Sequence, residues 1–390
     1  MKQAKKHIGI FVSNPPGYSE TFLRSKIQIL QERGFRITVF SLKRTDENLP
    51  YTHVQPWPMG VKAIYFLLPL IYTIITSLKA ITRFWNLQKK EGYSAKDIIK
   101  SIYINLHVLS NPVDHLHYEF GTLAISREVL AKAIKAKMTC SFRGFDIAIY
   151  PIKHPNCYSK LWKHVDAVHS ISDDLIQLVK NQHLPPSIPL IKIEPWIDIE
   201  AFPLKSNLGY IDNIPQLLTI GRLHWKKGYT LLLDALYILK QRAQPFHLTI
   251  IGGGDEYESL VFQAHQLGLT TDIKFTGRVA HAEVKKYIHA NDIYIQPSIQ
   301  EGFCNAVLEA QASGMLVAVS TAEGLPENLG NGETGWIFEK GNKQQLADTL
   351  IEIIKKPKET RMEYAMKAHE RAKNNYSIEH QIPNLIAFFS

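Results

Sequence analysis

One pattern constrains this chain more than any other: short apolar runs alternate with amphipathic helical stretches, and the alternation starts twice. HIGIFVS (7–13) reads as a buried strand, NPPGYSE as a loop, and TFLRSKIQILQERG as a helix with its stop signal at Gly34. FRITVFSL (35–42) is the next strand. VDHLHYEF, a helix over roughly 122–136, the strand MTCSFRG and a helix in SDDLIQLVKNQ follow. The prolines of HLPPSIPLIKIEPWIDIEAFP (183–203) mark a connection. Strands then resume at QLLTIGR, HLTIIGG, DIKFTG, DIYIQPS and MLVAVST; GWIFEKGN closes the series, and helices over roughly 343–355, 359–374 and 377–388 end it. Strand, helix and strand in alternation imply parallel sheets covered on both faces. The fold class is therefore α/β, with two doubly wound domains, and 390 residues exceed what one ordinary core organises. Ligands of such sheets bind at the carboxyl ends of the strands.

Composition narrows the class. With 45% hydrophobic and 21% charged residues, the chain is that of a soluble globular protein. Cys140, Cys157 and Cys304, odd in number and widely spaced, form neither a disulfide framework nor a zinc pattern, which fits a reducing, cytoplasmic compartment. The basic start MKQAKKHIGIFVSNPPG has too short an apolar run for a signal peptide. Residues 1–200 carry 26 Lys and Arg against 16 Asp and Glu, whereas 201–390 carry 19 against 20. The first half therefore suits an anionic partner. Its basic residues are not interleaved with aromatics and no nucleic-acid motif is present, so the inner face of an anionic membrane is the better expectation. VKAIYFLLPLIYTIITSLKAITRFW (61–85) is too short and too interrupted by Pro69 to span a bilayer. It reads as a buried helix pair or as an interfacial segment.

The second half carries the chemistry just after its strands. GRLHWKKG (221–228) offers Arg222, suited to a planar fork on phosphate oxygens, and Lys227, a point charge. A solvated basic turn would look the same. IIGGGDEYESL (250–260) holds the glycine turn Gly252–Gly253–Gly254, which does not reproduce a dinucleotide fingerprint, and FTGRV (275–279) is a further strand-end turn. QPSIQEGFCNAVLEAQASG (296–314) places Glu301 in a loop and Glu309 in the following helix, with no Lys or Arg in the stretch. Free N–H groups at that helix start attract anions, and an acid beside them is favourable where hydroxyls donate to it. The set suits a ligand that is part polyol and part phosphate. A helix-start acid gaining from the dipole remains the alternative for Glu301.

Taken in order, G-R-L-x-x-x-K-G, the glycine turn, F-x-G, E-x₇-E and EGLPEN (323–328) resemble the retaining glycosyltransferases of family 4, which have the GT-B fold. GYSETFLRSKIQILQERGFRITVFS resembles the opening of that family's polysaccharide-assembly branch, and HLHYEFGT (115–122) its H-x-H-F element. The resemblance implies two Rossmann-like domains facing across a cleft: an acceptor domain over 1–195, completed by the last helix at 377–390, and a nucleotide-sugar domain over 203–376. It implies that Arg222 and Lys227 grip the diphosphate. Glu301 would bind sugar hydroxyls, with the backbone of Gly302, Phe303, Cys304 and Asn305 beside it. Glu309 would hold the ribose diol, Arg278 and Val279 would flank the base through their backbone, and Gly253 would line the donor. Gly17, Ser19, His117, Arg143 and Asp146 would lie on the acceptor side or in the cleft.

By the same resemblance the enzyme would use a UDP- or GDP-sugar, need no cofactor or metal, and serve a glycan or lipid-linked acceptor in surface or exopolysaccharide assembly. No D-x-D element follows a strand, and no compact histidine metal pattern occurs. One departure stands out. SFRGFDI has Arg143 where many relatives have a histidine, and arginine cannot act as a general base. An ion pair with Asp146 or another acid is its structural alternative. A catalytically silent sugar-nucleotide-binding or scaffold protein, a nicotinamide-dependent oxidoreductase suggested by IIGGGDEY, and an epimerase of the same fold are the rival readings.

Overall fold

All strand pairing among the described residues is parallel, as the alternation of strand and helix requires. The structure is a computed structural model that describes residues 6–15, 21–45, 49–58, 67–211 and 213–390. Two compact units result, one of residues 1–170, 176–193 and 382–390, the other of 171–175 and 194–381. The expected domain limits thus shift: 171–175 and 377–381 group with the second unit.

The first unit is built on a seven-stranded sheet ordered β3-β2-β1-β4-β5-β6-β7. Its strands are β1 (His7–Val12), β2 (Arg36–Ser41), β3 (Thr52–Val54), β4 (His115–Tyr118), β5 (Lys137–Phe142), β6 (Ala167–Ser170) and β7 (Leu190–Lys192). Near-continuous burial of Ile8, Ile10, Phe11, Val39, Phe40 and Leu116 is what a sheet covered on both faces demands. A polar row interrupts it. His115, His117, Thr139, Ser141 and His169 are buried at alternate positions of three adjacent strands, in the register His117↔Thr139 and Ser141↔His169. Phe388 and Phe389, from the last helix (Ile378–Phe389), pack on His115 and His117 with ring centroids 5.1–6.4 Å apart.

Three sequence expectations change here. The single helix over 122–136 is two four-residue pieces, Gly121–Ala124 and Leu130–Ala133. Ser126 takes a left-handed φ of 64° between them, and its N–H donates to Glu128 Oε1 at 3.0 Å. The connection at 183–203 contains the edge strand β7. Third, the apolar stretch 61–85, where described, is not a buried helix pair. It forms α2 (Leu67–Thr76) and α3 (Leu78–Lys90), after α1 (Thr21–Glu32) and ahead of α4 (Ala95–Leu109); α3 buries Ala80, Phe84 and Gln88, while α2 leaves Leu68, Ile71, Tyr72, Ile74 and Ile75 exposed. No helix among the described residues is long and apolar enough to cross a membrane.

The second unit has a six-stranded sheet ordered β10-β9-β8-β11-β12-β13. Its strands are β8 (Gln216–Ile220), β9 (His247–Ile251), β10 (Ile273–Gly277), β11 (Ile293–Gln296), β12 (Leu316–Ser320) and β13 (Trp336–Phe338). Leu232, Leu236 and Leu239 of the helix Tyr229–Gln241 recur at helical spacing and are fully buried in a core with Leu217, Leu248 and Ile250. Each such side chain contributes about 1.5–3 kcal/mol by leaving water. The strand order reverses between β8 and β11, so the loops that leave these two strands lie side by side at the switch point.

Candidate active site

At that switch point the sequence brings its charges together. The chain leaves β8 through Gly221 and Arg222 into a tight turn, Trp225–Lys227, closed by Gly228 at φ 68°. A Cβ on Gly228 would stand 2.0 Å from the carbonyl oxygen of Pro297, so only glycine permits the approach. The turn docks on the loop after β11: the N–H of Ile299 donates to the carbonyl of Lys226 at 2.7 Å. Gly252 works the same way, since a Cβ there would lie 1.8 Å from the oxygen of Gly221.

Docking the turn delivers Lys227 to Glu301, 74 positions later in the chain: Nζ donates to Oε2. This is the cation that the stretch 296–314 lacks. Burial would lower the Lys227 ammonium, but the Glu301 charge outweighs it and raises its pKa, so the ion pair is kept at neutral pH. Ser298 Oγ donates to the same Glu301 oxygen at 3.3 Å, and Ser298 in turn accepts from Gln296 Nε2 at 2.8 Å. The Glu301 main chain is fixed from the loop after β12. Its N–H donates to Glu323 Oε2 at 2.7 Å and its carbonyl accepts from Gly324 N–H at 3.1 Å. Glu323 is itself paired with Lys340 at 3.3 Å.

The remaining predicted donor residues divide. Glu309, the fifth residue of the helix Asn305–Ala312, is nearly buried and pairs with His281 Nε2 at 2.9 Å, a partner the sequence reading missed. Arg222 is exposed on its turn, and burial together with the Arg222 charge lowers the pKa of neighbouring Lys226. Arg278 is exposed, with its side chain against Gly253: a Cβ on Gly253 would meet Arg278 Cγ at 3.2 Å. Val279 follows it, half-buried.

The side chains of Phe303 and Cys304 are buried inside the loop. Phe303 packs on Tyr376 with centroids 5.6 Å apart, and the Cys304 N–H is taken by Asn328 Oδ1 at 3.1 Å. Burial pushes the Cys304 thiol up to about 11, so it stays protonated and donates to Gln296 Oε1 at 3.4 Å. Gly302 presses on the next loop, 2.1 Å from where a Gly324 Cβ would stand, and Asn305 opens the helix.

The first unit holds a second constellation. Lys26 Nζ lies 3.0 and 2.8 Å from the two Glu119 oxygens, and Arg143 Nη2 is 2.5 Å from Glu119 Oε1. Glu119 is fully buried; burial alone would raise its pKa, yet the two cations hold it well below the carboxylate range. Burial lowers Lys26 to about 8 against the pull of Glu119. The Arg143 guanidinium also stacks 4.0 Å from the Phe22 ring, so its acid partner is Glu119 and not Asp146. Asp146 instead accepts the N–H groups of Gly121, Arg143 and Gly144 at 2.9–3.0 Å and ties down the loop that carries Arg143.

His117, expected on the acceptor side, is fully enclosed by Thr139 (2.8 Å), Ser141 (3.0 Å), Lys26 (3.5 Å) and the C-terminal phenylalanines. Burial, with Lys26 beside it, lowers its pKa to about 4 and keeps the ring neutral. Gly17 and Ser19 lie outside the described residues. Among the described residues, no group of three or more His, Cys, Asp or Glu side chains is arranged to hold a metal ion.

Two doubly wound parallel sheets make this a GT-B type α/β protein. Solved structures agree on that fold. Sucrose-phosphate synthase from Thermosynechococcus elongatus superposes with a TM-score of 0.73 at 16% identity over 99% of this chain and 98% of that one. HepE from Anabaena, solved with UDP and glucose, gives 0.72 at 18% identity over 98% of both chains. Residues 205–374 match the family described as glycosyl transferases group 1. The amylovoran biosynthesis glycosyltransferase AmsK of Erwinia amylovora is 29% identical over 61% of this chain, a match spanning only 60% of AmsK. The putative colanic acid biosynthesis glycosyltransferase WcaL of Salmonella typhimurium is 23% identical over 97% of this chain and 99% of its own length.

Proposed function

We propose that the protein is a retaining, metal-independent glycosyltransferase that moves a sugar from a UDP- or GDP-linked donor to a glycan or lipid-linked acceptor during surface or exopolysaccharide assembly, on the cytoplasmic side of a membrane. The observation that carries the reading is the Lys227–Glu301 contact at the switch point of a group 1 domain. Lys227 and the exposed fork of Arg222 supply positive charge for a diphosphate leaving group, where preorganised electrostatics has the greatest catalytic leverage. Glu301, pinned by Lys227 and Ser298, keeps its second oxygen for sugar hydroxyls. Glu309, oriented by His281, offers acceptor oxygens for a ribose diol.

Relatives named for amylovoran and colanic acid biosynthesis support the pathway class. A Mycobacterium tuberculosis relative, 27% identical over 44% of this chain, is named as GDP-mannose-dependent, which keeps GDP beside UDP as the nucleotide. The acceptor would meet the first, more basic unit. The test is a thermal-shift screen of UDP- and GDP-sugars with and without EDTA, followed by NMR of the transferred sugar's anomeric configuration. A shift of several degrees by one nucleotide sugar, retained in EDTA and abolished in Glu301→Ala, is expected. No shift with any nucleotide sugar overturns the reading. Binding without hydrolysis or transfer in the presence of candidate acceptors would assign a silent sugar-nucleotide-binding protein instead.

A further inference from the structure

The helix α2 is apolar where a surface helix should be polar. Leu68, Ile71, Tyr72 and Ile75 recur at i, i+3, i+4 and i+7, the spacing of a single helix face, and in most soluble helices that face is buried. Here it points to solvent: Leu68 is 79% exposed, Tyr72 70% and Ile75 59%. Leu78, 51% exposed, extends the stripe by one more turn. Scattered exposed apolar residues need no explanation, but a contiguous stripe of large ones marks a contact surface.

What covers the stripe is indicated by the continuation of the same face. The hydrogen-bond ladder runs on through Ser77, whose N–H donates to Thr73 O at 3.1 Å and whose carbonyl accepts from Ile81 N–H at 3.0 Å. The face of α2 therefore carries into α3, where it presents exposed Lys79, Lys89 and Lys90, while Ala80, Phe84 and Gln88 turn inward to the protein. From 67 to 109 there are six Lys and Arg and only two acids, Glu91 and Asp97. Both acids are engaged locally: Glu91 with His164 at 3.0 Å and Asp97 with Ser94 at 2.6 Å. An apolar stripe that passes into uncompensated cations matches the cross-section of an anionic leaflet, hydrocarbon followed by phosphate.

We propose that α2 and α3 form a monotopic membrane anchor, with the apolar face of α2 at the boundary between headgroups and acyl chains of an anionic bilayer and the α3 lysines on the lipid phosphates. At ten residues α2 is too short to span, and no helix among the described residues is long and apolar enough to do so, so the geometry is one of lying on the membrane. This deepens the membrane-facing part of the function proposed above, and it is tested by binding alone, so a failure here leaves sugar transfer untouched.

The experiment is flotation of the full chain with vesicles of phosphatidylcholine containing phosphatidylglycerol, and with phosphatidylcholine alone. The protein floats with the anionic vesicles. The exposed double variant Ile71→Asp/Ile75→Asp, with its thermal midpoint unchanged, loses binding by a factor of about ten or more. Lys89→Gln/Lys90→Gln weakens it by about fivefold per charge and flattens its salt dependence. Two outcomes overturn the proposal. One is wild-type protein left in solution with both vesicles. The other is a double aspartate variant that floats like the wild type. Should the wild type instead form a concentration-dependent dimer that the aspartates abolish, without floating, the stripe is a self-association surface and the lipid assignment falls.

Discussion

Glu323 accepts the main-chain N–H of Glu301 at 2.7 Å from a backbone held at φ +22°, a conformation that side chains rarely adopt and glycine takes readily. Local strain of this kind costs on the order of 1 kcal/mol and persists where the surroundings over-determine it. Glu323 therefore acts as a positioning residue for the Glu301 loop. Glu323→Gly should unfold at the same temperature as the wild type or slightly above it, because the strain is relieved, while kcat for donor hydrolysis or transfer falls about tenfold or more. Unaltered kinetics in a folded Glu323→Gly protein would refute the positioning role.

Lys227 and Glu301 should behave as one unit. Removing either leaves the other without its charge partner in a site about one-fifth exposed. Lys227→Ala and Glu301→Ala are each expected to lower kcat/KM by about 10²-fold or more. The double variant should be little worse than the poorer single one, because residues that act together are strongly non-additive. Additive losses across the kinetic cycle would mean that the two serve separate steps.

In the first unit, Glu119 compensates two cations at once. Glu119→Gln leaves Lys26 and Arg143 without their shared acid, and breaking a buried pair in this way costs about 3–5 kcal/mol. Lys26→Met in the same background should recover part of that loss, since one of the two stranded charges is then gone. Urea unfolding of the single and double variants measures both, and a Glu119→Gln protein as stable as wild type would show that the network adds nothing to stability.

Acid should weaken the protein before its carboxylates titrate. His107, His115 and His117 are buried and neutral, with pKa values lowered by burial to about 4, about 2 and about 4, and burial also holds His169 well below its ordinary value. Unfolded, each would take up a proton near pH 6.5. Between that pH and the folded value the unfolded state binds more protons, so stability drops as pH falls, by up to about 1.4 kcal/mol per pH unit for each ring. The thermal midpoint is expected to fall steadily from pH 7 to pH 5. A midpoint flat over that window would show that the rings are accessible in the folded state.

Much of the second unit was legible because most of its strands are short apolar runs that lead into a glycine or polar turn. QLLTI, HLTII and LVAVS became β8, β9 and β12 with small shifts at their ends. What the sequence could not provide was partnership across distance. Nothing near Glu301 announces that Lys227 pairs with it directly or that Glu323 holds its main chain, and nothing near Glu309 announces His281. One such partner did leave a trace: Lys26 occupies a stripe with Leu23, Ile27 and Leu30 on α1, and a charge on a buried face calls for an opposite charge opposite it. Ser126 and β7 were missed for a different reason. A left-handed residue that is not glycine, and three strand residues amid prolines, have no periodicity to detect.

The closing helix has a consequence for how the molecule comes into being. Chains emerge from the ribosome amino end first, and domains generally mature in that order. Here Phe388 and Phe389, which roof the histidines of the sheet begun first, are translated only after residues 194–381 of the second unit. The half begun first is therefore finished second. Until they emerge, its row of buried imidazoles and hydroxyls stands uncovered, and a nascent chain stalled before residue 382 would present a finished second unit and a first one still waiting for its lid.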